Sequence, residues 1–92
     1  VVVLDEENMS WLLFSNANDM YLSVVCGTIG VFTVEIQLTD SEISSYKSMG
    51  RSYIYQLANS IRYKPDYFMP RKVADFGNKF KVAEALSEWR NG

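Results

Sequence analysis

Between Met20 and Thr39 the chain alternates. Met20, Leu22, Val24 and Cys26 are separated by Tyr21, Ser23 and Val25; after Gly27-Thr28-Ile29-Gly30, the residues Phe32, Val34, Ile36 and Leu38 are separated by Thr33, Glu35 and Gln37. A period of two puts successive side chains on opposite faces of a strand, so both runs predict strands. The glycines between them predict a hairpin turn, because such turns need residues that tolerate positive φ. Trp11 to Ser15 predicts a third strand, joined to Met20 by the turn-forming cluster Asn16-Ala17-Asn18-Asp19. All of Trp11, Leu12, Leu13 and Phe14 are apolar, so the pattern does not say which face of that strand is buried.

The period then lengthens. Thr39 with Glu42 three residues on matches a capping box, and Leu38 can pack on Ile43 as a hydrophobic staple. At helical spacing Tyr46, Gly50, Tyr53, Ile54, Leu57, Ala58 and Ile61 join Ile43 in one stripe, opposite Ser45, Ser48, Ser52, Gln56 and Asn59. The expectation is one long helix over residues 40–63, with Gly50 at its centre to let the backbone approach the sheet. The competing reading makes Gly50 a C-cap that splits the segment. The unbroken phase of Arg51 to Ile61, with no second capping box, favours continuity. Pro65 restricts Lys64 to extended backbone and ends the helix. Residues 64–77 form a loop, with Arg71 to Ala74 a candidate short strand. Val82, Ala85, Leu86 and Trp89 predict a C-terminal helix over 78–90.

The expected fold class is therefore α+β: a three-stranded antiparallel meander (10–39), a long helix packed on one face of it, and a shorter C-terminal helix, in a single domain spanning 1–92. Residues 1–9 are expected to be a flexible or artificial lead, with Met9 a candidate start. The longest apolar runs, Val1 to Leu4 and Trp11 to Phe14, have four residues, far short of the roughly 18 that span a membrane. Neither has signal-peptide features, and a single cysteine allows no internal disulfide. These points give a cytoplasmic protein as the expectation, with no membrane role.

Charge redraws the picture. Residues 1–46 hold seven acids (Asp5, Glu6, Glu7, Asp19, Glu35, Asp40, Glu42) and no Lys or Arg, a charge of −7; residues 47–92 hold nine bases against Asp66, Asp75, Glu84 and Glu88, a charge of +5. The total of −2 does not argue for nucleic acid, and no nucleic-acid partner is expected. The polarity suggests basic residues facing acidic ones, within one molecule or between two.

Candidate chemistry is sparse. Without histidine there is no imidazole base or metal ligand, and the two glycines at 27 and 30 match no phosphate-binding motif. Cys26 is the one strong nucleophile, but it ends a run of core positions; Asp5-Glu6-Glu7 reads as a solvated acidic run, and Glu35 has no evident partner. No catalytic, cofactor or metal residues are therefore assigned, and no enzyme activity is expected. The candidate interaction surface comprises Lys47, Arg51, Tyr55 and Arg62 along one edge of the helix, Tyr63 opposite the stripe, and Tyr67, Phe68, Met69, Arg71 and Lys72 on the loop. The helix row alternatively frames the core and faces the acidic half of the same molecule, and the loop alternatively caps the core. Abundant tyrosine, phenylalanine and tryptophan suit a protein interface.

The pattern Trp11-x-Leu13, Tyr21-Leu22-x-Val24-x-Cys26, Leu38-Thr39-x-x-Glu42-x-x-x-Tyr46-x-x-x-Gly50-Arg51-x-Tyr53-Ile54-x-x-Leu57-Ala58-x-x-Ile61 resembles small uncharacterised bacterial α+β domain proteins with no assigned activity, over residues 10–63. The resemblance implies no ligand and no site residues. The functional expectation is a non-enzymatic interaction or accessory domain of a bacterial protein, binding a protein partner or itself as a homodimer. The alternatives are an immunity-type protein that neutralises a toxin, and a small enzyme using Cys26 or a carboxylate pair.

Overall fold

In the computed structural model, which describes residues 2–7, 9–27, 30–76 and 81–91, the alternating segments pair as one antiparallel sheet. Its strands are β1 (Val2–Glu7), β2 (Trp11–Asn16), β3 (Asp19–Cys26) and β4 (Phe32–Gln37), in the spatial order β1-β2-β3-β4. The meander thus has four strands rather than three. The added one is β1, whose three acids in a row hide any alternation. Asn16 pairs with Asp19 across a two-residue turn, and Cys26 pairs with Phe32 across the glycine turn. Gly27 takes φ +92, and a Cβ there would lie 2.9 Å from the Gly30 carbonyl oxygen, so that position needs glycine. Thr28 and Ile29, expected in the same turn, lie outside the described residues.

The helical segment after Thr39 is two helices, α1 (Asp40–Met49) and α2 (Arg51–Tyr63), and the expected continuous helix is overturned. Gly50 adopts φ 70 and ψ −147, a region essentially restricted to glycine. Its N–H still closes α1 by donating to the Tyr46 carbonyl at 2.6 Å. An ideal Cβ at residue 50 would meet nothing within 4 Å, so close approach to the sheet is not its role. The apolar stripe stays in phase because Ile43 and Tyr46 on α1 pack on the same core as Ile54, Leu57, Ala58 and Ile61 on α2. A one-residue interruption hardly disturbs a 3.6-residue period.

The predicted capping box forms. Thr39 Oγ1 accepts from the Glu42 N–H at 3.2 Å, and Glu42 Oε1 accepts from the Thr39 N–H at 2.8 Å. Leu38 and Ile43 belong to the same core, as the staple requires. At the far end Lys64 breaks the helix at φ −133, ψ 69, and Pro65 opens a short helix α3 (Pro65–Phe68), where its missing N–H costs nothing. A 3-10 turn (Met69–Arg71) follows, and Lys72 then bridges Ile36 at the β4 edge. The last helix, α4 (Val82–Asn91), turns Val82, Ala85 and Leu86 of the expected stripe to the second core, while Trp89 stays 41% exposed; its expected start at Asn78 lies outside the described residues.

The sheet is covered on both faces. One face presents Trp11, Leu13, Leu22, Val24, Val34 and Ile36 to α1, α2 and Phe68 of α3. The other presents Phe14 and Tyr21 to Phe76 and to Ala85 of α4, with Val3 from β1 beside them. The apolar run Trp11 to Phe14, ambiguous in sequence, therefore serves two cores at once. No helix among the described residues is long and apolar enough to cross a membrane.

Candidate functional site

The expected interaction residues separate into those that hold the molecule together and those that stay uncovered. The cause lies partly in β1, where the register slips between Val3, which pairs with Phe14, and Asp5, which pairs with Leu13. A slip of one residue exchanges faces. Asp5 is thereby turned toward the α2 side and Glu6 toward the α4 side. Asp5 Oδ1 accepts from Arg51 at 2.8 Å, and the Arg51 guanidinium sits 4.9 Å over the buried Trp11 ring. The Glu6 carboxylate accepts from Trp89 Nε1 at 3.1 Å and pairs with Arg90 at 3.2 Å. The acidic run, expected to be simply solvated, pins a helix to each face of the sheet.

Two further guanidiniums are also committed. Arg62 donates to the Val25 carbonyl at 3.1 Å and to Ser10 Oγ at 2.7 Å, tying α2 to the ends of two strands. Arg71 makes a two-pronged pair with Glu42 and donates to the Gln37 carbonyl at 2.8 Å. Burial alone would raise the Glu42 pKa, but hydrogen bonds from Arg71 and Thr39 and the charge of Arg71 outweigh it, and the carboxyl titrates below its ordinary range. Of the two readings of the helix row, the inward one describes Arg51 and Arg62; Arg71, on the loop, is likewise turned inward to Glu42. Phe68 is buried in the first core, so this part of the loop caps it.

The remaining aromatic residues face outward. Tyr63 is 82% exposed, Tyr67 75% and Tyr55 53%. Beside them are Ser52, Gln56, Asn59 and Ser60, all exposed on the side of α2 opposite Ile54, Leu57, Ala58 and Ile61. Ser60, Tyr63, Lys64, Tyr67 and Phe68 line a groove of about 420 Å³ where α2 meets α3. There is no Asp or Glu from residue 43 to residue 65. Lys47, Met69 and Lys72 are exposed too, but none of them lines this groove. Ser60, Lys64 and the uncharged polar row were absent from the expected surface. Their signal in the sequence is the acid-free span, together with the position of Ser52, Gln56 and Asn59 opposite the stripe.

Cys26 and Glu35 lie on opposite faces of the sheet. Cys26 is 1% exposed and its Sγ lies 3.7 Å from the Val24 carbonyl. Burial pushes the thiol pKa up; Glu35 adds to this, and Arg62 opposes it. Glu35, on the other face, accepts from Ser23 Oγ at 3.0 Å. A second, smaller cleft of about 150 Å³ near the α4 end of the sheet brings Ser23, Thr33 and Arg90 together with Glu6, which α4 already holds. Among the described residues no group of three or more Cys, Asp or Glu side chains is placed to hold a metal ion.

Comparison with known proteins adds no family to this geometry: no family model, curated protein or solved structure matches the chain.

Proposed function

We propose that this chain is a non-enzymatic protein-interaction domain that docks a protein partner on the outer face of α2 and the adjoining Tyr67. The observation that carries the reading is the exposure of Tyr55 and Tyr63 on a carboxylate-free stretch, with Tyr67 exposed just past its end, while Arg62 and Arg71 are held inside the molecule. Tyrosine supplies a large rigid contact area at low entropic cost and keeps a polar hydroxyl for the rim; serine and asparagine beside it supply adaptable hydrogen bonds. Interface centres are poor in charge, as this face is. The burial of Cys26, and the use of Asp5, Glu6 and Glu42 in ion pairs, support the non-enzymatic part of the reading.

The test compares the wild type with a Tyr55→Ser, Tyr63→Ser, Tyr67→Ser variant as baits, followed by titration of each purified captured protein. The expected result is a partner whose affinity for the variant falls at least about tenfold, since aromatic hot spots at interface centres each contribute on that scale or more. Equal affinity for the two baits overturns the proposal.

A further inference from the structure

We infer that the occupant of the α2 face is a second copy of this chain, docked antiparallel about a two-fold axis near Asn59. The inference rests on the interaction surface proposed above and names its partner. Along the chain, Asn59 is the midpoint of two pairs: Tyr55 with Tyr63, and Arg51 with Tyr67. A two-fold axis reverses one helix against the other. In that arrangement Tyr55 of each copy meets Tyr63 of the other, Asn59 meets Asn59, and Ser52 is set toward Asp66.

Charge chooses the direction. Arg51 stands at the start of α2 with about half its side chain in solvent beyond the Asp5 contact. Asp66, exposed in the first turn of α3, is the first acid after the acid-free span and follows the far end of α2. Parallel docking would oppose Arg51 to Arg51 and Asp66 to Asp66. Antiparallel docking brings each Arg51 toward the Asp66 and Tyr67 of the other copy, where both an ion pair and a cation–π contact suit a guanidinium. The centre of the seam carries no carboxylate that would be stranded by loss of water. A helix of 13 residues gives a seam about 20 Å long, at 1.5 Å per residue. Such a contact belongs at the small end of stable interfaces, so the dimer should be concentration-dependent.

Sedimentation equilibrium of the purified chain from micromolar to millimolar concentration tests this. The expected result is a mass rising from 10.5 kDa toward twice that value. Tyr63→Lys and Asp66→Lys, both at exposed positions, should each raise the dissociation constant at least about tenfold, the scale of a lost interface anchor or of a new like-charge contact. Glu84→Lys, a charge change of the same size on α4 in the opposite layer, should leave it unchanged. A wild type that stays monomeric throughout overturns the self-docking, as does a dimer indifferent to both α2-side variants. A monomeric wild type whose captured partner is still lost from the triple tyrosine variant would sink the self-docking alone and leave the interaction surface standing.

Discussion

Gly50 and Cys26 are single residues whose backbone or burial decides what they do. At φ 70 and ψ −147 a Cβ is strained whatever space surrounds it, and the space here is open. Gly50→Ala and Gly50→Leu are therefore expected to destabilise by a similar amount, about 1–3 kcal/mol, measured by chemical denaturation. A leucine much worse than the alanine would restore the tight-contact explanation. Cys26 lies at the end of β3 with its thiol covered by the first core and its pKa raised by burial. Native protein is expected to resist thiol labelling at neutral pH and to react fully once denatured. Rapid native labelling would favour the cysteine-enzyme alternative. The two residues differ in legibility: Cys26 was readable as core because it sits in phase with Met20, Leu22 and Val24, whereas the role of Gly50 depends on a dihedral angle that no periodicity reports.

At the level of elements, the start of α1 joins a local signal to a distant one. Thr39 and Glu42 form the capping box from within four residues, while Arg71 reaches the same carboxylate from 29 residues away. Glu42 titrates below its ordinary 4.5 in the folded state. A carboxyl whose pKa is lowered by folding contributes stability above its unfolded pKa and loses it as pH falls through the folded one. Glu42→Gln keeps an acceptor for the box but removes the charge. The stability gap between wild type and Glu42→Gln is expected to be widest near neutrality and to close as the pH drops from 4.5 downward, as followed by urea unfolding at stepped pH. A gap independent of pH would show that the charge of Glu42 contributes nothing. The box was legible because its parts are neighbours in the chain; the Arg71 clamp was not, because it needs the loop to fold back along β4.

For the molecule as a whole, the decisive feature is the second core. Phe76 packs its ring 5.4 Å from Phe14 and 5.5 Å from Tyr21, and α4 lies beside it. Phe76→Ala is expected to cost about 3–5 kcal/mol, as for other buried phenylalanines, and to release amide protection in α4 before α2. Global unfolding together with uniform exchange would instead make the two cores one cooperative unit. Covering both sheet faces also explains the charge asymmetry. The acidic first half and basic second half meet inside one chain through Asp5–Arg51, Glu6–Arg90 and Glu42–Arg71, which leaves the outward face of α2 to its tyrosines.

By itself the sequence determined what neighbouring residues can settle: the strands from Met20 to Leu38 through a period of two, the strand at Trp11 through its apolar run and the turn-forming cluster after it, the start of α1 through its cap, and the end of α2 through Pro65. Tertiary structure alone decided that β1 is a strand, that the helix breaks at Gly50, that α4 takes the second face of the sheet, and which arginines point inward. The difference is physical. Period and capping act through a few adjacent dihedrals and hydrogen bonds, whereas an acidic edge strand, an ion pair spanning 46 or 84 residues, and an uncovered tyrosine all depend on which surfaces meet once the chain has closed on itself.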